Sequence, residues 1–192
     1  HTSLTDVTGV QTCALPIWPT SLADLGEYHV TFRAYDGQLA ASETIRIVVA
    51  EDRIYWCNLQ WPPVVTSYVG ILPGQPIYGR VNIPGRTSAP GQTPGLSAQL
   101  GYGSSAAPEN WTWINASFAY DTDGNDEFQA SFGGSDDAGT FSYAYRYQYT
   151  NQGTTHVYGV LNGGPSDTVD LAQAGRWTVL PLADEIVAAN LQ

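Results

Sequence analysis

The sequence predicts an all-β protein, an antiparallel β-sandwich with a truncated β-hairpin ahead of it, and three observations carry that prediction. Short stretches alternate apolar and polar residues with the two-residue period of strands. Turn residues punctuate them throughout, with 20 Gly and 12 Pro in 192 residues, and no stretch has the period of a long amphipathic helix. Lastly, one pattern occurs twice: an acidic residue, a Gly corner, then a strand with aromatics on one face. It is Asp24-Leu25-Gly26-Glu27-Tyr28-His29-Val30-Thr31-Phe32 and again Asp137-Ala138-Gly139-Thr140-Phe141-Ser142-Tyr143-Ala144-Tyr145-Arg146-Tyr147. Twelve Tyr and six Trp supply enough bulky apolar surface for a core.

Taken in order, residues 1–17 are set aside. Val7-Thr8-Gly9-Val10-Gln11-Thr12-Cys13-Ala14-Leu15-Pro16-Ile17 resembles the in-frame translation of a sequencing-library adaptor. Cys13 then leaves the count, so Cys57 has no predicted disulfide partner. Residues 18–50 read as one hairpin. Tyr28, Val30, Phe32 and Ala34 share a face, Asp36-Gly37 is a turn signal, and Ile45, Ile47 and Val49 return on the same face. That face has nothing to cover it, so the hairpin reads as the end of a sandwich whose earlier strands lie upstream.

Residues 51–181 read as a complete sandwich. Residues 54–61 form its first strand, ended by Pro62-Pro63, which cannot sit inside a paired ladder. Ile77, Gly79, Val81 and Ile83 mark a second strand, residues 84–95 a loop rich in Pro, Gly, Ser and Thr, and Leu96, Ala98, Leu100 and Tyr102 a third strand. Residues 111–120 form one strand, then Asp121 to Asp126 leads into 127–132. Residues 140–149 turn through Asn151-Gln152-Gly153 into 155–161, and a last strand lies at 176–180. Residues 182–192 are a tail or linker.

Two resemblances rest on these segments. D-L-G-E-Y-H-V-T-F-R-A-Y-D-G and S-E-T-I-R-I-V-V resemble the C-terminal hairpin of cadherin-like or PKD-like repeats. W-C-N-L-Q-W-P-P, I-Y-G-R-V, P-G-x-T-P-G-L-x-A-Q-L-G-Y-G, W-T-W-I-N-A-S-F, N-D-E-F, A-G-T-F-S-Y-A-Y-R-Y and A-G-R-W-T-V are similar to an immunoglobulin-like accessory module of large secreted bacterial multidomain proteins. Such modules often stand beside amylase-type glycoside hydrolases. The resemblance implies an immunoglobulin-like fold, an extracellular or cell-surface location, neighbouring domains of the same polypeptide as partners, and no catalytic residue. The paired Gly corners correspond to the turn before the penultimate strand of such sandwiches.

The residues themselves favour binding over catalysis. Net charge is −11 and all seven bases are Arg, scattered along the chain, so a nucleic-acid partner is not expected, and no apolar run suits a membrane span. His29 and His156 fall in different units and read as surface residues; no metal-spaced Cys/His cluster, Ser elbow or phosphate loop is present. Catalytic residues are therefore not expected, and neither is a cofactor beyond calcium. For calcium the candidate ligands are Asp121, Asp123, Asn125, Asp126 and Glu127, carboxylates at close spacing beside a flexible Gly, although Gly124 falls too early for an EF-hand loop and hairpin turns use the same residues.

Carbohydrate is the other candidate ligand. Trp111 and Trp113 lie opposite the apolar row Ile114, Ala116 and Phe118, beside Asn115 and Ser117, so they are candidates to stack on sugar rings or to pack under the long loops. Tyr147 and Tyr149 run past the expected core and join them as candidate contacts. Asp137, Gly139, Phe141 and Tyr143 are expected to be structural, with the Asp137 carboxylate bracing the corner through backbone N–H groups. The expected function is a non-catalytic module that spaces or docks neighbouring domains, with carbohydrate binding as the alternative.

Overall fold

Wherever the sequence alternates, the chain pairs, and twelve strands run through the described residues, 17–153 and 155–182, of the computed structural model. The adaptor-like stretch, apart from Ile17, and most of the tail lie outside those residues. The chain divides into two units at Ala50 and Glu51.

In the first unit, β1 (Gly26–Tyr35) and β2 (Ala40–Val49) pair antiparallel along their full length. Asp36 closes the turn, its Oδ1 accepting from the N–H groups of Gln38 and Leu39. Tyr28 faces Ile47 and Val30 faces Ile45. The Tyr28 hydroxyl donates to the Asp24 carbonyl at 2.9 Å, a short-range tie that fixes how the chain enters the strand. With one layer only, Phe32 stays 47% exposed.

The second unit holds β3 (Trp56–Trp61), β4 (Val64–Tyr68), β5 (Ile77–Asn82), β6 (Leu96–Gly103), β7 (Thr112–Asn115), β8 (Ser117–Thr122), β9 (Asn125–Ala130), β10 (Gly139–Tyr149), β11 (Val157–Gly159) and β12 (Gly175–Leu180). They form a two-sheet all-β sandwich. One sheet runs β3-β5-β9-β8; the other runs β4-β12-β10-β6-β7, with β11 also on β10. Pairing is antiparallel except between β4 and β12. β10 is long enough to serve two partners on one edge, β12 along Gly139 to Tyr143 and β11 along Tyr145 to Tyr147.

Two strand expectations are corrected. Residues 64–68, not expected as a strand, form β4 in the opposite sheet from β3, so the break at Pro62-Pro63 marks a change of sheet. The expected single strand over 111–120 splits at Ala116, β7 joining the larger sheet and β8 the smaller. Ile114, Ala116 and Phe118 still all pack on the core. The apolar row is continuous because the chain crosses the edge of the sandwich with one face inward, so periodicity cannot reveal the change of hydrogen-bonding partner.

The core is spanned by a tyrosine ladder. Tyr143, Tyr145 and Tyr147 are fully buried and Tyr149 nearly so. The Tyr143 hydroxyl donates to the Pro62 carbonyl, Tyr145 to Ile77 at 2.6 Å and Tyr147 to Asn58 at 2.9 Å. Each phenol thus crosses the sandwich and ends on backbone of the facing layer, which satisfies a polar group that burial would otherwise penalise. Burial pushes all three phenols well above their ordinary pKa, so they remain donors. Tyr149 ends instead on Asp52 Oδ1 at 2.9 Å.

Candidate ligand cleft on the outer sheet face

The same alternation that sends the tyrosines inward sends Arg146 and Gln148 of β10 outward, with Ser97 and Gln99 of β6 beside them. Register sets Arg146 opposite Gln99, Gln148 opposite Ser97, and Gln99 opposite Asn115 of β7. Together with His156, Ala98 and Ala116 these residues line a cavity of about 470 Å³.

Hydrogen bonds across the cleft run in one direction. Arg146 Nε donates to Gln99 Oε1 at 2.7 Å, and Gln99 Nε2 donates to Asn115 Oδ1 at 2.8 Å. A guanidinium can only donate, so it orients the Gln99 amide, which orients the Asn115 amide, and Asn115 Nδ2 is left as a further donor. The guanidinium lies 4.1 Å from the centroid of the Trp113 ring. Burial lowers the Arg146 pKa without removing its charge. Burial, and then the Arg146 charge, hold His156 below the ordinary imidazole value, so it is neutral at pH 7. Among the described residues the lining contains no carboxylate.

The rest of this outer face is closed by a second apolar cluster. Trp111 and Trp113 stack with centroids 5.8 Å apart. Their indole N–H groups donate to the carbonyls of Ser105 at 2.8 Å and Pro108 at 3.0 Å. The rings lie so close to β6 that a Cβ at Gly101 would come within 2.4 Å of Trp113, and one at Gly103 within 2.3 Å of Trp111. Trp111 packs with Ala144, Val160 and Val169, and Trp113 joins them with Tyr158.

Most of the sequence-derived candidates are thereby reassigned. Trp111 is 6% exposed and Tyr147 and Tyr149 are at most 3% exposed; none offers a face to a ligand, because the tyrosines belong to the core and Trp111 to the loop-covered cluster. Trp113 is half-buried and borders the cleft, but it supports Arg146 and is no open platform. Ser117 has gone to the other sheet. At the corner, the Asp137 carboxylate is exposed; the bracing group is the Ser135 hydroxyl, which accepts from Asp137 N–H at 3.2 Å and donates to its carbonyl at 2.9 Å. Phe141, at the position Tyr28 has in the hairpin, has no hydroxyl to make the corresponding tie.

The calcium candidates close a hairpin and hold a loop. Asp123 and Gly124 take positive φ, 51° and 77°, at the β8–β9 turn, and Asn125 Nδ2 donates to the Thr122 carbonyl at 3.0 Å. Asp121 Oδ2 accepts from Gly91 N–H and Asp126 Oδ2 from Thr93 N–H, both at 2.8 Å. Glu127, 2% exposed, pairs with Arg80. Asp121 and Asp126 each give one oxygen to the 84–95 loop and Glu127 is held in an ion pair, Asp126 Oδ1 stays buried without a partner, and no three His, Cys, Asp or Glu groups converge among the described residues.

Sequence reasoning passed over the cleft and also Asp52, where Arg86 Nη2, Asn151 Nδ2 and Tyr149 Oη all donate to one carboxylate. These donors, Arg86 first, hold its pKa down at about 2. Cys57 is buried and its thiol is pushed up to about 12, so it carries too little thiolate to react.

No protein-family model matches the chain. A similar segment occurs in an amylopullulanase from Thermoanaerobacter thermohydrosulfuricus, 30% identical over 140 residues. The match covers 63% of the chain but 9% of that enzyme, so the chain spans under a tenth of its relative. No helix among the described residues is long and apolar enough to cross a membrane.

Proposed function

We propose that the chain is a non-catalytic, immunoglobulin-like accessory module of a secreted multidomain glycoside hydrolase, spacing or docking the domains on either side of it. The observation that carries this is the similarity to so small a part of an amylopullulanase. A share of that size fits a module within the larger enzyme better than its reaction centre. The fold supports the reading: β3-β5-β9-β8 and β12-β10-β6 reproduce the A-B-E-D and G-F-C orders of immunoglobulin sandwiches. The chemistry supports it too, since among the described residues the outer cleft brings together donors and a neutral His but no acid–base pair of carboxylates. Incubating the purified chain with starch and pullulan and following reducing ends tests it. No turnover is expected; hydrolysis that co-purifies with the chain overturns the reading.

A second reading, carbohydrate binding in service of an attached hydrolase, is favoured by the cleft beside Trp113. Pull-down with insoluble starch, cellulose and xylan separates it from pure spacing. Retention on any of them, lost on mutation of Arg146, supports binding.

A further inference from the structure

The geometry points to the cleft between Arg146, Gln99, Asn115, Gln148 and His156 as a binding site for the carboxylate of an acidic saccharide, a uronate unit. This goes beyond the accessory-module reading and stands whether or not the parent protein is a hydrolase. Three observations carry it.

The first is an unbalanced charge. Arg46, Arg53, Arg80 and Arg86 each pair with a carboxylate. Among the described residues Arg146 has none, and unlike the exposed Arg33 and Arg176 it is half-buried. A partly desolvated guanidinium, its Nε engaged by Gln99 and the Tyr158 hydroxyl beside it, keeps terminal N–H donors without a carboxylate, the groups an anionic ligand engages best. In a chain of net charge −11, a recess whose described lining is free of acids selects for an anion instead of repelling it.

The second is polarity. The chain from Arg146 through Gln99 to Asn115 leaves Asn115 Nδ2 as an unused donor on a residue that lines the cleft. Donors already held in place by the protein lose little freedom when a ligand binds, so acceptor-rich ligands are favoured. A uronate supplies a carboxylate for Arg146 and hydroxyls for Asn115 and Gln148, and the cavity of about 470 Å³ has the size of a small-molecule site.

The third observation excludes the usual alternative. Neutral-sugar sites need an aromatic face open to the ring. Trp113 packs on Gly101 and lies under the Arg146 guanidinium, 4.1 Å from its centroid. The indole therefore stiffens the cation and offers no stacking platform.

Calorimetric titration of the full chain with trigalacturonate and with maltotriose, at low salt, tests this. Trigalacturonate is expected to bind at least tenfold more tightly than maltotriose and to weaken as salt rises. Arg146→Gln removes the guanidinium, and Asn115→Asp, at an exposed position where the new carboxylate still accepts from Gln99, adds a repelling charge without disturbing the fold. Each is expected to weaken trigalacturonate at least tenfold, with circular dichroism unchanged for Asn115→Asp. Maltotriose binding as tightly as trigalacturonate, indifference to Asn115→Asp, or no heat from either ligand at millimolar concentration overturns the proposal. So does acetate competing as well as the trisaccharide, which would reduce the site to a simple anion pocket.

Discussion

β1 and β10 begin alike and end differently. Each is entered through a glycine of positive φ, Gly26 at 148° and Gly139 at 159°, followed two residues later by an aromatic, Tyr28 or Phe141, and then by alternating apolar positions. In β10 the inward residues Tyr143, Tyr145 and Tyr147 are fully buried; in β1 Val30 is half-buried and Phe32 is 47% exposed. β1 has one hydrogen-bonded neighbour and no facing layer within its unit, whereas β10 has three neighbours and a second sheet beneath it. Local sequence therefore determines the corner and the alternation, and the surrounding chain determines what the alternation is worth. The hairpin compensates locally, through the Tyr28 hydroxyl, the Thr31–Thr44 hydroxyl contact at 2.8 Å and the Glu27–Arg46 pair at 2.7 Å, cross-strand ties that exposure to water keeps weak.

The sharpest way to break this contrast is to truncate matching positions. Tyr145→Ala removes a fully buried ring and strands the Ile77 carbonyl, at an expected cost of about 3–5 kcal/mol; Phe32→Ala, six residues after its entry glycine as Tyr145 is after its own but half in water, is expected to cost under about 1 kcal/mol. Urea denaturation of the full chain, followed by Trp fluorescence, measures both. Tyr145→Phe, which keeps the ring, guards against a variant that does not fold and is expected to cost about 1–2 kcal/mol. Equal losses at Tyr145 and Phe32 would mean that Phe32 is covered in solution and that the contrast is false.

Legibility followed the same division. Alternation located most strands of the sandwich and its inward rows, because period two is a local property. It missed β4 and the split at Ala116, where an inward row continues while the backbone changes sheets, and it placed Tyr147 and Tyr149 at a surface because nothing local says how far the facing layer extends. The cleft was half visible. Ser97, Gln99, Arg146 and Gln148 are the polar positions between core residues, but only register makes them neighbours. Asn115 was noticed for its Trp neighbours and not for Gln99, the residue that orients it. Asp52 was hidden for the same reason, its donors standing 34 to 99 positions away in sequence.

The outer faces of the two strands differ as well, and a smaller substitution tests that difference. Glu27, His29 and Thr31 of β1 point to water, whereas Ala144 of β10 lies under the Trp111 cluster. Gly101→Ala puts a methyl group where Trp113 now lies, 2.4 Å from the ring carbons, and the indole must move. An expected loss of about 1–3 kcal/mol, with a red-shifted Trp emission and weaker cleft binding, supports the outer layer as part of the fold. An unchanged spectrum would mean that the indoles are already loose.

The acids of the two units give the finest comparison. Asp36 in the hairpin turn and Asp52 at the head of the sandwich both have lowered pKa values, Asp36 through the N–H groups of Leu39 and Gln38, Asp52 through Arg86 before Asn151 and Tyr149. A carboxylate whose folded pKa is depressed stabilises the fold above its unfolded pKa, and that contribution disappears as pH falls through the folded value. For Asp52 the contribution is complete above about pH 4 and is lost as pH falls toward about 2. Because a third of the Asp52 side chain is exposed, solvent screening reduces its contribution to about 1 kcal/mol. Asp52→Asn is expected to lower the urea midpoint at pH 7 by that amount and to flatten the acid limb of the stability curve between pH 4 and 2. Asp36→Asn leaves that limb in place, since its carboxylate is fully in water and its turn sits outside the cooperative core. An acid limb that survives Asp52→Asn and vanishes in Asp36→Asn would reverse the ranking of the two units.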